Sequence, residues 1–163
     1  MYKRLELHNH TNESDAVFTC KELTDFMVAD QVDAFALTDH NTISGHCKIK
    51  NYLKEHPQPI DFIPGMEYTT YYGHILCLNL TEYVPWENIN RHKPELLFRA
   101  ARKKGALVGV AHPYSFGWPF AQGCRFEMTI TDYSCCDFIE IFNNPEPLHE
   151  VNEKGVKLWE NLV

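Results

Sequence analysis

The residues of this chain that could do chemistry are histidines and acids at the ends of apolar runs. The first group is Leu5-Glu6-Leu7-His8-Asn9-His10-Thr11-Asn12-Glu13-Ser14-Asp15. Residues i and i+2 of a strand face the same way, so an extended segment here would present the His8 and His10 imidazoles side by side. Imidazole and carboxylate are the usual ligands of zinc, manganese and iron, and Asp15 follows five residues after His10. Taken alone, His-x-His is a weak motif, and polar residues at a strand end read the same way. The chain then adds His40 after Thr38-Asp39, Glu67 after Pro64-Gly65, His74 after Gly73 and His112 before Pro113.

These side chains need elements to position them. Residues 4–10 alternate and read as a first strand ending in the histidines. Thr19-Cys20-Lys21-Glu22 fits a capping box, and Leu23, Phe26 and Met27 continue it as a helix to about Asp30. Residues 32–37 are nearly all apolar, as in a parallel strand buried on both faces. A second helix is predicted over Ile43–Glu55 and stopped by Pro57 and Pro59. Residues 60–63 form a third strand, with Pro64-Gly65 bending the chain just before Glu67, and residues 75–80 form another extended run after His74. A third helix starts near Pro94 and ends at Lys103-Lys104, with Gly105 as its stop signal. Residues 106–111 and 138–142 are further strands. Residues 113–123 read as a loop, and Val151, Leu158, Trp159 and Leu162 mark a final helical stripe interrupted at Gly155. Alternating strands and helices give an α/β fold with a parallel sheet in one domain spanning 1–163.

Composition narrows the function. The chain has 163 residues, 44% of them apolar and 13% aromatic, enough for a sizeable core. Its net charge of -7 argues against a general nucleic-acid or anionic-membrane surface. An anionic substrate stays compatible, because bound divalent ions reverse the local potential. The start lacks the apolar stretch of a secretory signal, and no run is long enough to span a membrane. The six cysteines show no Cys-x-x-Cys spacing. They read as reduced structural thiols, Cys20 and Cys77 included, in a cytoplasmic protein.

His8 and His10, His40, Glu67, His74 and His112 thus each fall at an end of an apolar run. In α/β folds, ligands bind at the carboxyl ends of parallel strands. Buried imidazoles and carboxylates without partners would cost free energy, and a shared metal centre removes that cost.

His8-x-His10 with Ser14-Asp15, Thr38-Asp39-His40-Asn41, Pro64-Gly65-x-Glu67 with Gly73-His74, and Ala111-His112-Pro113 together resemble the motifs of the PHP (polymerase and histidinol phosphatase) superfamily, in its order and over the whole chain. The Glu67–His74 stretch and the Phe138–Asn143 stretch look closest to a branch that includes carbaryl hydrolase. The resemblance implies a distorted seven-stranded β/α barrel holding two or three divalent ions, manganese, zinc or iron. By that scheme His8, His10 and Glu67 would hold a first metal. Glu67 would bridge to a second completed by His74 and His112, and Asp15 and His40 would hold a third. The scheme also needs a late Asp-x-His, which this chain lacks, since Asp137 and His149 are not spaced for it. About six extended segments are countable, so the barrel is expected to be incomplete, its C-terminal strands lying outside this chain. A homodimer covering the opening is a further expectation.

The implied activity is a metal-dependent hydrolase, foremost a phosphoesterase using a metal-bound hydroxide against a small phosphorylated substrate, with Glu67 and His112 the catalytic residues. An ester or amide hydrolase of the carbaryl-hydrolase type and a non-catalytic, metal-stabilised regulatory or assembly domain are the alternatives. Asp39 is read either as a carboxylate orienting a ligand or as a turn cap. His46, His56, His92 and His149 read as structural or surface residues, His46 being the first exception to consider. Tyr114, Phe116, Trp118 and Phe120 are candidates for a substrate wall or for loop packing, and Arg125 for a phosphate contact or a surface group.

Overall fold

The computed structural model describes residues 2–114, 125–142 and 150–163. Strands β1 (Leu5–Glu6), β2 (Ala34–Leu37), β3 (Asp61–Thr70), β4 (Gly73–Leu78), β5 (Leu107–Val110) and β6 (Phe138–Ile139) alternate with helices α1 (Cys20–Ala29), α2 (Gly45–Glu55), α3 (Glu95–Lys103) and α4 (Glu150–Glu160). The fold is mixed α/β, and hydrogen-bonded strands follow chain order from β1 to β6. Six strands, not seven, are present among the described residues. The chain packs as two compact units: Met1–Glu67 with Leu78–Tyr83, and Tyr68–Cys77 with Val84–Val163.

In the first unit β1 pairs in parallel with β2, and β2 with β3, Leu37 lying opposite Pro64. Helix α1 begins on the expected capping box: Thr19 Oγ1 accepts from Glu22 N–H at 3.2 Å, and Glu22 Oε2 accepts from Thr19 N–H at 2.8 Å. Such a cap is worth about 1 kcal/mol. Cys20, Leu23 and Met27 of α1 join Val32, Phe35, Leu37, Ile49 and Ile60 in one core. Each large side chain buried there contributes roughly 1.5–3 kcal/mol. This core fixes the strand ends that carry the candidate ligands.

Strand β1 is shorter than the predicted 4–10. The Asn9 amide takes over where the ladder would continue, donating to Glu6 O at 3.0 Å and Ala36 O at 3.1 Å. Side-chain amides compete with backbone pairing in this way. Pro64-Gly65 does not interrupt β3, and Glu67 lies inside that strand rather than at its end. Proline removes one donor but holds φ at a value strands accept, and Pro64 O still takes a hydrogen bond from Leu80 N–H at 2.9 Å.

In the second unit a two-residue turn at Tyr71-Tyr72 joins β3 to β4. So short a connection requires antiparallel strands, so the sheet is not purely parallel as expected. Strands β5 and β6 are parallel, with Gly109 opposite Phe138. Helix α3 packs on β5, burying Leu97, Phe98 and Ala101. It ends as expected, with Gly105 at φ 85°. Gly155 does not break α4. A Cβ there would meet Ile141 O at 3.4 Å, an ordinary van der Waals contact. No helix among the described residues is long and apolar enough to cross a membrane.

Candidate metal centre

The first unit gathers His8, His10, Asp15, His40 and Glu67. Asn9 anchors the histidines that flank it: its N–H donates to Thr38 Oγ1 at 3.0 Å, and its carbonyl accepts from Thr38 N–H at 2.9 Å. Beyond β2, His40 forms an isolated parallel bridge with Glu67. Asn41, at φ 53°, donates its N–H to Glu67 O at 3.0 Å. The backbone thereby places three imidazoles around one buried carboxylate. Glu67 Oε2 lies 3.0 Å from His8 Nε2, 3.2 Å from His10 Nε2 and 3.2 Å from His40 Nδ1. The His10 and His40 rings stack with centroids 4.4 Å apart. On the other side of His40, Nε2 is 3.4 Å from Asp15 Oδ2.

This donor set fits a divalent cation. His8, His10 and Glu67 offer ligand atoms within 4.8 Å of one another, and so do His10, Asp15 and His40. Metal–ligand bonds of about 2.1 Å in a tetrahedron put ligand atoms about 3.4 Å apart, close to the separations found. His10 Nδ1 is also buried without a hydrogen-bond partner. Native structures rarely leave such an atom unpaired; a bound ion or its water would satisfy it.

The second unit places His74 on β4 and His112 just after β5, both buried, with ring centroids 5.1 Å apart and planes at 76°. His112 takes φ 30°, unusual for a non-glycine residue. Its N–H donates to Glu140 Oε2 at 2.9 Å. Glu140 was not among the residues singled out from sequence, yet it carries the same signal as the others, an acid following the apolar pair Phe138-Ile139. Asp137, considered as a late ligand, instead fastens β5 to its neighbour: its Oδ2 accepts from Val108 N–H at 2.9 Å.

The other candidates resolve individually. His46 is structural: its Nε2 lies 2.8 Å from Gly65 O, and burial pushes its pKa below the ordinary histidine value. His56 and His92 are exposed. Tyr114 packs edge-on against Phe126 with ring centroids 5.4 Å apart. Arg125 pairs with Glu127 at 3.1 Å. Cys20 and Cys77 are buried, and desolvation raises both thiol pKa values, as suits packed thiols. Phe116, Trp118, Phe120 and His149 lie outside the described residues.

Comparison with known proteins adds relatives. The chain is 28% identical over 151 residues to an uncharacterized protein of Methanocaldococcus jannaschii, covering 86% of this chain and 81% of that one. It is 35% identical over 89 residues to a 5'-3' exoribonuclease of Haemophilus influenzae, covering 52% of this chain but only 32% of the relative. A two-domain protein of Bacteroides vulgatus containing a predicted PHP-like metal-dependent phosphoesterase shares the fold, with TM-score 0.73 and 20% identity over 98% of this chain and 48% of that one. This chain therefore spans about a third of the exoribonuclease and about half of the two-domain protein. Residues 6–112 match the PHP domain, a stretch that contains every candidate ligand from His8 to His112, and on that match the chain belongs to the PHP domain family.

Proposed function

We propose that this chain is the metal-binding domain of a hydrolase, and that its substrate is a phosphoester. The observation that carries the proposal is the convergence of three imidazole nitrogens on Glu67 Oε2 at 3.0–3.2 Å, with His10 Nδ1 buried and unpartnered beside them. His8, His10 and Glu67 hold one divalent ion, and Asp15 and His40 hold another. His74 and His112 serve as further ligands in the second unit. Manganese, zinc and iron all suit imidazole and carboxylate. Such ions neutralise charge building on a phosphoryl oxygen and acidify a water.

The chain's own contribution is placement. Glu67 is fully buried, so its charge acts on the ions in a low-dielectric setting. Glu140 fixes the His112 backbone. With a net charge of -7, the chain relies on the ions for the positive potential an anionic substrate needs. A small phosphorylated substrate fits this charge better than a long nucleic acid. The Haemophilus influenzae relative, named a 5'-3' exoribonuclease, favours a nucleotide or an oligonucleotide end within that class.

Plasma mass spectrometry after mild dialysis, with turnover of p-nitrophenyl phosphate, nucleotides, a short RNA and aryl esters in added manganese, tests the proposal. Bound metal with phosphoester turnover, abolished in Glu67→Gln and His112→Ala, is expected. Absence of bound metal with the histidines intact would refute it. Turnover of aryl esters alone would move the activity to the carbaryl-hydrolase type. Metal without any turnover would leave a regulatory or assembly domain.

A further inference from the structure

Asp15 is an unusual ligand candidate, because its side chain is 66% exposed and sits on a loop. An exposed carboxylate holds a fixed position only if its backbone is held. Asp39 does the holding. It is 1% exposed and accepts three hydrogen bonds, each 2.7 Å long: from Thr11 N–H and Ser14 Oγ on Oδ1, and from Thr11 Oγ1 on Oδ2. Short hydrogen bonds to an ionised carboxylate are the strong kind. The loop they grip is closed on itself, with Ser14 N–H and Ala16 N–H both donating to Thr11 O at 3.1 Å and Asn12 N–H to Phe18 O at 2.8 Å. Asp15 lies between Ser14 and Ala16, so fixing Thr11 and Ser14 fixes its backbone. Asp39 is also bonded in sequence to His40, whose Nε2 lies 3.4 Å from Asp15 Oδ2.

We propose that Asp39 is a positioning residue for the ion held by Asp15 and His40: it ties the Thr11–Asp15 loop to the end of β2 so that the two ligands stay in register. Asp39 thereby acts on metal affinity through Asp15. This rests on the reading of Asp15 and His40 as ligands of one ion.

The test is a double-mutant cycle in manganese affinity, measured by calorimetric titration of the full chain as wild type, Asp39→Asn, Asp15→Asn and the double variant. An amide in place of Asp39 retains one acceptor and turns a donor towards donors. Loss of partners behind a ligand typically weakens metal binding by about 10–100-fold, and that is the loss expected for Asp39→Asn at this ion. In the Asp15→Asn background Asp39→Asn should weaken binding no further, and the ion on His8, His10 and Glu67 should keep its affinity in every variant. Independent, additive effects of the two substitutions, or an unchanged affinity in Asp39→Asn, would overturn the inference alone. Equal weakening of both ions would do the same, since it marks a general structural role. If Asp39→Asn fails to fold, Ser14→Ala, which removes one hydroxyl donor, must show a smaller loss with the same dependence on Asp15. A wild-type chain that binds no manganese would overturn the site itself.

Discussion

Glu67 gives the sharpest quantitative test, because one oxygen of one residue meets three imidazoles. In Glu67→Gln the side chain keeps its shape and loses its charge, and a neutral amide replaces the carboxylate that His8, His10 and His40 approach at 3.0–3.2 Å. An ion that binds only the folded state stabilises it by RT ln(1 + [L]/Kd), about 2.7 kcal/mol at 100 times Kd. For a chain of this size 1 kcal/mol moves Tm by roughly 2–4 °C. Manganese at 100 times the wild-type Kd should therefore raise the wild-type Tm by about 5–11 °C. Loss of a direct ligand should weaken binding at least as much as the roughly 100-fold upper range for an outer partner. At the same manganese concentration the ion on His8, His10 and Glu67 then contributes about 0.4 kcal/mol in the variant, about 1–2 °C of the shift. Each protein is compared with itself in chelator, so any change in metal-free stability cancels. Thermal melts followed by circular dichroism provide the assay. A Glu67→Gln variant that keeps the full wild-type shift would refute the assignment of Glu67 as a ligand.

Two further outcomes test the scaffold. Burial holds the His46 pKa below its ordinary value, so the unfolded chain takes up this proton first as pH falls, and the stability it contributes above about pH 6.5 is progressively lost below it. Urea unfolding from pH 7 downwards should show wild type losing stability more steeply than His46→Gln; equal slopes would mean that His46 titrates alike in both states. Gly109→Ala would drive a Cβ into the Phe138 ring, forcing that side chain to shift at a cost of about 1–3 kcal/mol. Chemical denaturation measures this loss, and an unchanged midpoint would show that the β5–β6 packing gives way freely.

What the sequence disclosed and what it hid follow from the range of the forces involved. Helices α1 and α3 were legible because their signals are local: Thr19 and Glu22 cap one end, and Gly105 stops the other. The cluster residues were legible by type, since an imidazole or carboxylate at the end of an apolar run is costly unless something uses it. The arrangement that joins them was not. Alternation put His8 and His10 on a strand face; the structure positions them through the Asn9 amide, which reaches Ala36 O across 27 residues. Pro64-Gly65 looked like a bend because the local rule sees the missing donor, while the Leu80 hydrogen bond that helps keep β3 in place lies 16 residues further on. Glu140 escaped notice because its partner is a backbone N–H 28 residues away, not another acid or histidine in a spaced motif. Asp39 could be read as an orienting carboxylate or as a cap, and its contacts are those of a cap on the loop that carries Asp15. In each case the partner is distant in sequence, an interaction without periodicity and hence without a trace in the pattern. Such contacts, rather than residue types alone, bring the three imidazoles and two acids of the first unit together.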